Sequence, residues 1–152
     1  MNFATNASWE VDVNDIKLGG EIGRGSFGVV KRGELHGMDV AIKIIAASAS
    51  VKEKEMAAMM LRREVKALSR CQHQNVVRLI GACSNPPMLI LAFAPQGTLR
   101  DLLRHRNTEL SPSRKMELLF GICDGMAMLH SKGILHLDLK PENILISADG
   151  TP

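Results

Sequence analysis

The segment His136-Leu137-Asp138-Leu139-Lys140-Pro141-Glu142-Asn143 places a carboxylate, an ammonium and a side-chain amide close together along the chain. Pro141 lacks the N–H that a helix interior needs, so Asp138, Lys140 and Asn143 are expected on a loop. An acceptor, a cation and an amide carbonyl are the set required to orient a hydroxyl, steady a transferring phosphoryl group and ligate Mg²⁺. Taken alone, the segment also fits a polar surface loop without chemistry.

A second group is Gly23-Arg24-Gly25-Ser26-Phe27-Gly28. Glycines at this spacing let the backbone come close to a phosphate and adopt conformations closed to other residues. The pattern by itself is weak, since a dinucleotide fingerprint and a flexible turn share it. A dinucleotide site needs a helix directly after the glycines. Here Val29-Val30-Lys31 follows, which reads as a strand, so the glycines form a flap between two antiparallel strands. No Lys-Ser/Thr follows Gly28, which excludes a Walker A loop.

The third group is Lys43, at the end of Val40-Ala41-Ile42-Lys43, and Glu64. A lone lysine at a strand end usually snorkels to water. Glu64 alters that reading, because its helical neighbours at three and four residues are Met60, Leu61, Ala67 and Leu68, and none of them can pair with it. A carboxylate on an apolar stripe needs a cation from another element, and Lys43 is the candidate.

The elements that must position these groups follow from periodicity and turn chemistry. Short β-branched runs bounded by glycine predict strands at 16–18, 29–31 and 40–44, with a hairpin turn at His36-Gly37-Met38-Asp39. Apolar residues Met56, Met60, Leu61, Ala67 and Leu68 recur at helical spacing and predict a helix over 51–70. Strands are expected at 76–80 and 88–93, separated by Asn85-Pro86-Pro87. The second half reads as helical. Thr98 caps a short helix reaching Arg104, and Ser111-Pro112 opens a longer one that stops at Gly133. Met116, Leu119, Cys123, Met126 and His130 form its expected apolar stripe. A last strand is expected at 144–146, with Asp149-Gly150 as a hairpin turn. Residues 1–15 read as a polar lead-in, with Trp9 as an anchor.

Bulk properties narrow the function classes. The chain has 152 residues, 45% hydrophobic and 23% charged, an ordinary globular balance. A net charge of +3, spread along the sequence, argues for a solvated surface and against nucleic acid as a partner. Cys71, Cys83 and Cys123 are widely spaced and odd in number, which predicts buried or partly buried thiols in a reducing compartment. The longest apolar run, residues 88–94, falls far short of the ~20 residues a membrane helix needs, and no signal peptide is visible at the start. A cytoplasmic location is the expectation.

The three groups in this order resemble the signature set of protein kinases, from about residue 16 to residue 152. The resemblance implies an α+β, two-lobed protein-kinase-like fold. Its N-lobe, antiparallel sheet plus one helix, would span 16–92, and a partial helical C-lobe would begin at 93. It implies transfer of the γ-phosphoryl group of ATP, with Mg²⁺, to serine or threonine of a protein substrate. Gly23, Gly25 and Gly28 would cover the phosphates. Lys43 would hold the α- and β-phosphates and pair with Glu64. Asp138 would accept or orient the substrate hydroxyl beside Lys140, and Asn143 would bind Mg²⁺. Val30, Ala41 and Leu145 match the positions that sandwich adenine, and Ile22 joins the nucleotide contacts. Ala94 would offer backbone hydrogen bonds to adenine, with Leu91 as gatekeeper. Lys140-Pro141-Glu142-Asn143 is similar to serine/threonine kinases. Trp9-Glu10, Ser26-Phe27 and His73-Gln74-Asn75-Val76-Val77-Arg78-Leu79-Ile80-Gly81 look like the tyrosine-kinase-like group.

There are two departures. Leu137 stands where many kinases have an arginine that pairs with a phosphorylated activation loop, so activation through that contact is not expected. The 152 residues end at Thr151-Pro152, ahead of where the family's Asp-Phe-Gly would follow. The expectation is therefore part of a catalytic unit, with little phosphoryl transfer by these residues alone. A pseudokinase-like nucleotide-binding or scaffolding module is the alternative.

Overall fold

In the computed structural model, β1 (Ile16–Gly25), β2 (Gly28–Leu35) and β3 (Met38–Ile45) run antiparallel, and β4 (Leu79–Ser84) and β5 (Pro87–Ala92) complete one sheet in the order β1-β2-β3-β5-β4. The structure describes residues 9–25, 28–45, 50–104 and 109–152. The chain divides into two compact units, Met1–Ser69 with Arg78–Phe93, and Arg70–Val77 with Ala94–Pro152.

In the first unit the sheet separates two apolar clusters, because alternate side chains of β3 point to opposite faces. Val40 and Ile42 join Leu35, Cys83, Met88 and Ile90 on one face. Ile45 joins Leu79, Ala82 and Leu89 on the other, where helix α1 (Val51–Leu68) covers them with Ala57, Leu61 and Val65. Ser50 caps the start of α1. Its Oγ accepts from the Glu53 N–H at 3.3 Å and donates to Glu53 Oε2 at 2.7 Å. The stripe expected on α1 is shifted: Met56 is exposed and Ala58 is buried.

The β2–β3 turn is tighter than the sequence suggests. His36 and Gly37 alone make it, at φ of 49° and 84°, and Met38 and Asp39 already pair with Leu35 and Glu34. Two residues with positive φ match the twist of the flanking strands.

Gly33 is fixed by packing. A Cβ there would land on Ile42 Cδ1 and lie 2.6 Å from the Lys17 carbonyl oxygen. Gly33→Ala is expected to lower stability by about 1–3 kcal/mol in denaturant unfolding. Gly20→Ala, which meets nothing within 4 Å, should stay within about 0.5 kcal/mol of the parent. Equal unfolding midpoints for the two variants would contradict this packing account.

The lead-in is not loose from residue 9 onward. Val11 N donates to the Ala82 carbonyl, and Ala82 N to that of Trp9, each at 2.8 Å. Glu10 accepts from Ser84 N at 2.9 Å and from Ser84 Oγ at 2.8 Å. Trp9 packs against the cluster beneath α1. The free edge of β4 recruits this segment as a partner strand, which satisfies backbone groups that polarity alone does not reveal.

The second unit is built on α2 (Leu99–Arg104) and α3 (Pro112–Ser131). Ser111 Oγ caps α3 by accepting from Arg114 N at 3.1 Å, and Pro112 occupies its first turn. Gly133, at φ 69°, ends it in a left-handed turn. Along α3 the stripe residues Met116, Leu119, Cys123 and His130 are exposed, and Leu118 and Gly125 are buried. At Gly125 the missing side chain lets the loop at Asn75 lie directly on the helix. Cys123, expected buried or partly buried, is exposed, whereas Cys71 and Cys83 are buried.

The strand expected at 144–146 is reduced to one bridge, Leu145 with Thr98. Its partner is the Gly97–Thr98 turn leading into α2, which is too short to extend a ladder. Ile146 is nonetheless fully buried, and its N–H donates to the Gly97 carbonyl at 2.8 Å. Strand β4 likewise starts at Leu79, three residues later than the apolar run that begins at Val76. Among the described residues no helix is long and apolar enough to cross a membrane.

Candidate functional site

The first unit holds one constellation. Lys43 lies two residues after Ala41 and two before Ile45, so its side chain leaves β3 on the face that α1 covers. Glu64 sits beside Leu61 and Val65, at the edge of the helix's buried face. Lys43 Nζ donates to Glu64 Oε1 at 2.6 Å. Both side chains are about three-quarters or two-thirds covered, at 26% and 33% exposure, so the pair is partly withdrawn from water. The register builds outward from this lysine. Val30 pairs directly with Lys43 from β2 and Leu89 from β5, while Leu91 pairs with Ala41. Residues directly opposed across strands share a face, so Val30, Ala41, Lys43 and Leu91 line one surface of the sheet.

Gly23 faces Val30 in register, and Gly25 pairs with Gly28 where β1 and β2 converge. Ser26 and Phe27 lie outside the described residues. Gly28 has a φ of 143°, which a side chain would strain. Gly23 and Gly25 are different. A Cβ at Gly25 would meet nothing within 4 Å, and at Gly23 only Val30 Cβ at 3.9 Å. Among the described residues, packing therefore does not demand glycine at either place. Ile22, just before them, is half exposed.

The second unit holds the other constellation. Asp138 Oδ2 accepts from Lys140 Nζ at 2.9 Å and from Asn143 Nδ2 at 2.8 Å, and Asn143 Nδ2 also reaches the Asp138 backbone carbonyl at 2.8 Å. The hydrogen bond from Lys140, and after it the one from Asn143, hold the Asp138 carboxyl below the usual carboxylate range. Both amide contacts use Nδ2, which leaves the Asn143 oxygen Oδ1 to accept or ligate. A single 3-10 turn, Pro141–Asn143, sets the spacing of the loop, with Asn143 N donating to the Lys140 carbonyl at 2.9 Å. His136 Nδ1 accepts from Asp138 N at 3.3 Å. Leu137 is 89% exposed and adopts a left-handed φ of 60°, uncommon for a residue other than glycine.

Ala94 and Leu145 belong to this second unit. Both are half-buried, the Ala94 carbonyl accepts from Gly97 N at 3.3 Å, and Leu145 bridges to Thr98. Two residues went unassigned in the sequence. Arg100 Nη1 donates to Glu142 Oε1 at 2.5 Å, tying α2 to the turn inside the catalytic-type loop. Neither residue breaks a local pattern, so the sequence carries no signal for the pair. An open concavity lined by Asn75, Arg114, Phe120 and Cys123 holds none of the predicted site residues.

The first unit thus carries a sheet-borne lysine held by a helix glutamate beneath a glycine flap, and the second an Asp-x-Lys-x-x-Asn loop. The sequence model of the family described as protein tyrosine and serine/threonine kinase matches residues 16–151. The chain belongs to that family. It is 36% identical over 154 residues to a putative serine/threonine-protein kinase/receptor, R831, of Acanthamoeba polyphaga mimivirus, covering 95% of this chain and 9% of that protein. It is 35% identical over 142 residues to the probable serine/threonine-protein kinase drkD of Dictyostelium discoideum, covering 91% and 11%. With mitogen-activated protein kinase kinase kinase 7 of Homo sapiens it shares 38% identity over 148 residues, covering 93% and 23%. The chain thus spans roughly a tenth to a quarter of the length of these curated relatives.

Proposed function

We propose that these residues bind ATP with Mg²⁺ and carry the catalytic loop of a cytoplasmic kinase that phosphorylates serine or threonine in protein substrates. The observation that carries this reading is the Lys43–Glu64 contact at 2.6 Å beneath a glycine flap in which Gly23 and Gly25 are not crowded by any of the described residues. Lys43 would engage the α- and β-phosphates, with Glu64 fixing the direction of its ammonium. Ile22, Val30 and Ala41 offer apolar surface for adenine, and the reading assigns Leu145 and the Ala94 backbone to the same base. Asp138, kept ionised by Lys140 and Asn143, would accept the hydrogen bond of the substrate hydroxyl and set its direction of attack. The donor set fits a hard cation: Asn143 Oδ1 is a carbonyl-type ligand beside a carboxylate. When bound, Mg²⁺ neutralises charge on the phosphates. Lys-Pro-Glu-Asn at 140–143 favours serine and threonine over tyrosine, and Leu137 offers no cation to a phosphorylated segment.

Ala41 supplies the test. It is 8% exposed and shares its sheet face with Lys43. Ala41→Phe is expected to weaken binding of a fluorescent ATP analogue by about tenfold or more, equivalent to about 1.4 kcal/mol. The measurement is an equilibrium titration with Mg²⁺ present, alongside circular dichroism to verify the fold. Unchanged affinity in a folded variant would place the nucleotide elsewhere.

A further inference from the structure

We propose that Arg100 is a positioning residue for the loop bearing Asp138, Lys140 and Asn143, and that it acts through Glu142. This rests on the phosphoryl-transfer reading of that loop and adds the element that holds it in shape.

The loop has little of its own to hold it. The turn Pro141–Asn143 is three residues long, and its first residue is flanked by Lys140 without any side-chain cap. A single 3-10 turn with one closing hydrogen bond is marginal in isolation. Two of its side chains anchor it to groups outside the turn. One is Asn143 Nδ2, which binds back to Asp138 and is itself part of the constellation. The other is Glu142, whose carboxylate meets Arg100 Nη1 at 2.5 Å.

Arg100 is well placed to act as a fixed point, because its helix is fixed at both sides of it. Thr98 and Asp101 form a reciprocal cap at the start of α2. Thr98 Oγ1 donates to Asp101 Oδ2 at 2.5 Å, Thr98 N donates to the same oxygen at 3.1 Å, and Asp101 N donates to Thr98 Oγ1 at 3.2 Å. The backbone there is zipped to the segment following the loop. Leu99 N donates to the Ile144 carbonyl at 2.8 Å, Ile146 N to that of Gly97 at 2.8 Å, and Gln96 N to that of Ile146 at 3.2 Å. Those contacts hold the chain immediately after Asn143. The Arg100–Glu142 pair carries the same docking one step back, into the turn between Lys140 and Asn143.

The pair is partly exposed, at 42% and 39%, so it adds little to global stability. Its effect is geometric. Partners that orient ligands from outside typically change activity by 10–100-fold when removed. A loss of alignment is therefore expected without a loss of fold.

The experiment uses the kinase that contains these residues, with Arg100→Glu, Glu142→Arg and the double exchange. Two readouts are taken: amide hydrogen exchange across residues 138–144, and kcat with KM for ATP. Each single variant is expected to speed exchange at Asn143 about tenfold and to lower kcat about tenfold, with KM for ATP and the melting temperature unchanged. The double exchange, which restores an ion pair in reverse, should recover most of both. A double variant no better than the singles, or singles with parent-like exchange, would overturn the proposal. If the parent itself shows no transfer while exchange follows the pairing, the phosphoryl-transfer reading fails and the structural role of Arg100 stands.

Discussion

In the kinase that contains these residues, replacing Asp138 with asparagine is expected to lower phosphoryl transfer by about 10²–10⁴-fold, the range associated with a positioned acid or base. The substitution keeps the shape of the side chain but removes the charge and half of the acceptor capacity. In the parent, one oxygen, Oδ2, takes hydrogen bonds from both Lys140 and Asn143, leaving Oδ1 to meet a hydroxyl. An amide cannot satisfy two donors on one side and accept from a hydroxyl on the other without turning an NH₂ toward one of them. The loop is exposed around Asp138, so the fold is expected to survive and the unfolding midpoint to move little. The pH dependence has a defined sign. The folded pKa of Asp138 lies below its ordinary value, so its ionised contacts are present above the ordinary carboxylate range and are lost as pH falls through the depressed value. A rate that falls with acid should therefore not reflect this group until well below neutral pH. Radiolabelled phosphate transfer measures the effect, and an Asp138→Asn protein within tenfold of the parent would remove Asp138 from its proposed role.

What the sequence discloses about this molecule follows the range of the interactions concerned. The Lys43–Glu64 contact is legible because each residue breaks a local pattern. Glu64 interrupts an apolar stripe with no partner on its own helix, and Lys43 ends an apolar strand. Strand β3 is legible for the same reason, since its alternation decides which side chains meet α1. The attachment of residues 9–11 to β4 is not legible: Glu10 is an ordinary acidic residue until the edge of β4 presents Ser84 to it, 74 positions away. Arg100 and Glu142 are 42 positions apart and neither breaks a pattern where it stands. The buried face of α3 is hidden for another reason. The small surface at Gly121 and Gly125 decides where the neighbouring loop packs. A missing side chain carries no hydropathy signal, so the face it opens is invisible to periodicity. The strand expected at 144–146 fails because β propensity describes a residue's fitness for a ladder and says nothing about the length of the available partner.

The glycines separate fold from function in the same terms. Gly33, Gly81 and Gly125 each face an atom that a Cβ would strike, so the fold alone accounts for them. Among the described residues Gly25 faces open space and Gly23 meets only Val30 Cβ at 3.9 Å, so packing there does not account for their identity. That contrast supports the nucleotide reading independently of charge, since it would hold whatever Lys43 was doing.

Replacing Lys43 with methionine is the second large effect expected. Methionine matches the apolar stem of lysine, so packing on β3 is largely preserved and the change isolates the ammonium. Two losses follow. The phosphates lose a donor in a partly covered site, and removing one such fixed donor typically costs about 10²–10³-fold in rate. Glu64 also loses its cation while remaining two-thirds covered, and a carboxylate left unpaired there weakens the seating of α1. Because both side chains keep some contact with water, the stability cost is expected near 1 kcal/mol, well below that of breaking a fully buried pair. Lysine to arginine is not expected to rescue the rate. The guanidinium is planar and wider, and the 2.6 Å contact places a single nitrogen against a single oxygen. Glu64→Gln separates the two losses, since it keeps the ammonium but frees its direction. Its rate should fall less than that of Lys43→Met, and its affinity for nucleotide should stay closer to the parent's. Transfer rates, nucleotide titrations and unfolding midpoints for the three variants give the comparison. Equal losses in Lys43→Met and Glu64→Gln would mean that seating the helix, rather than holding phosphate, is what Lys43 contributes.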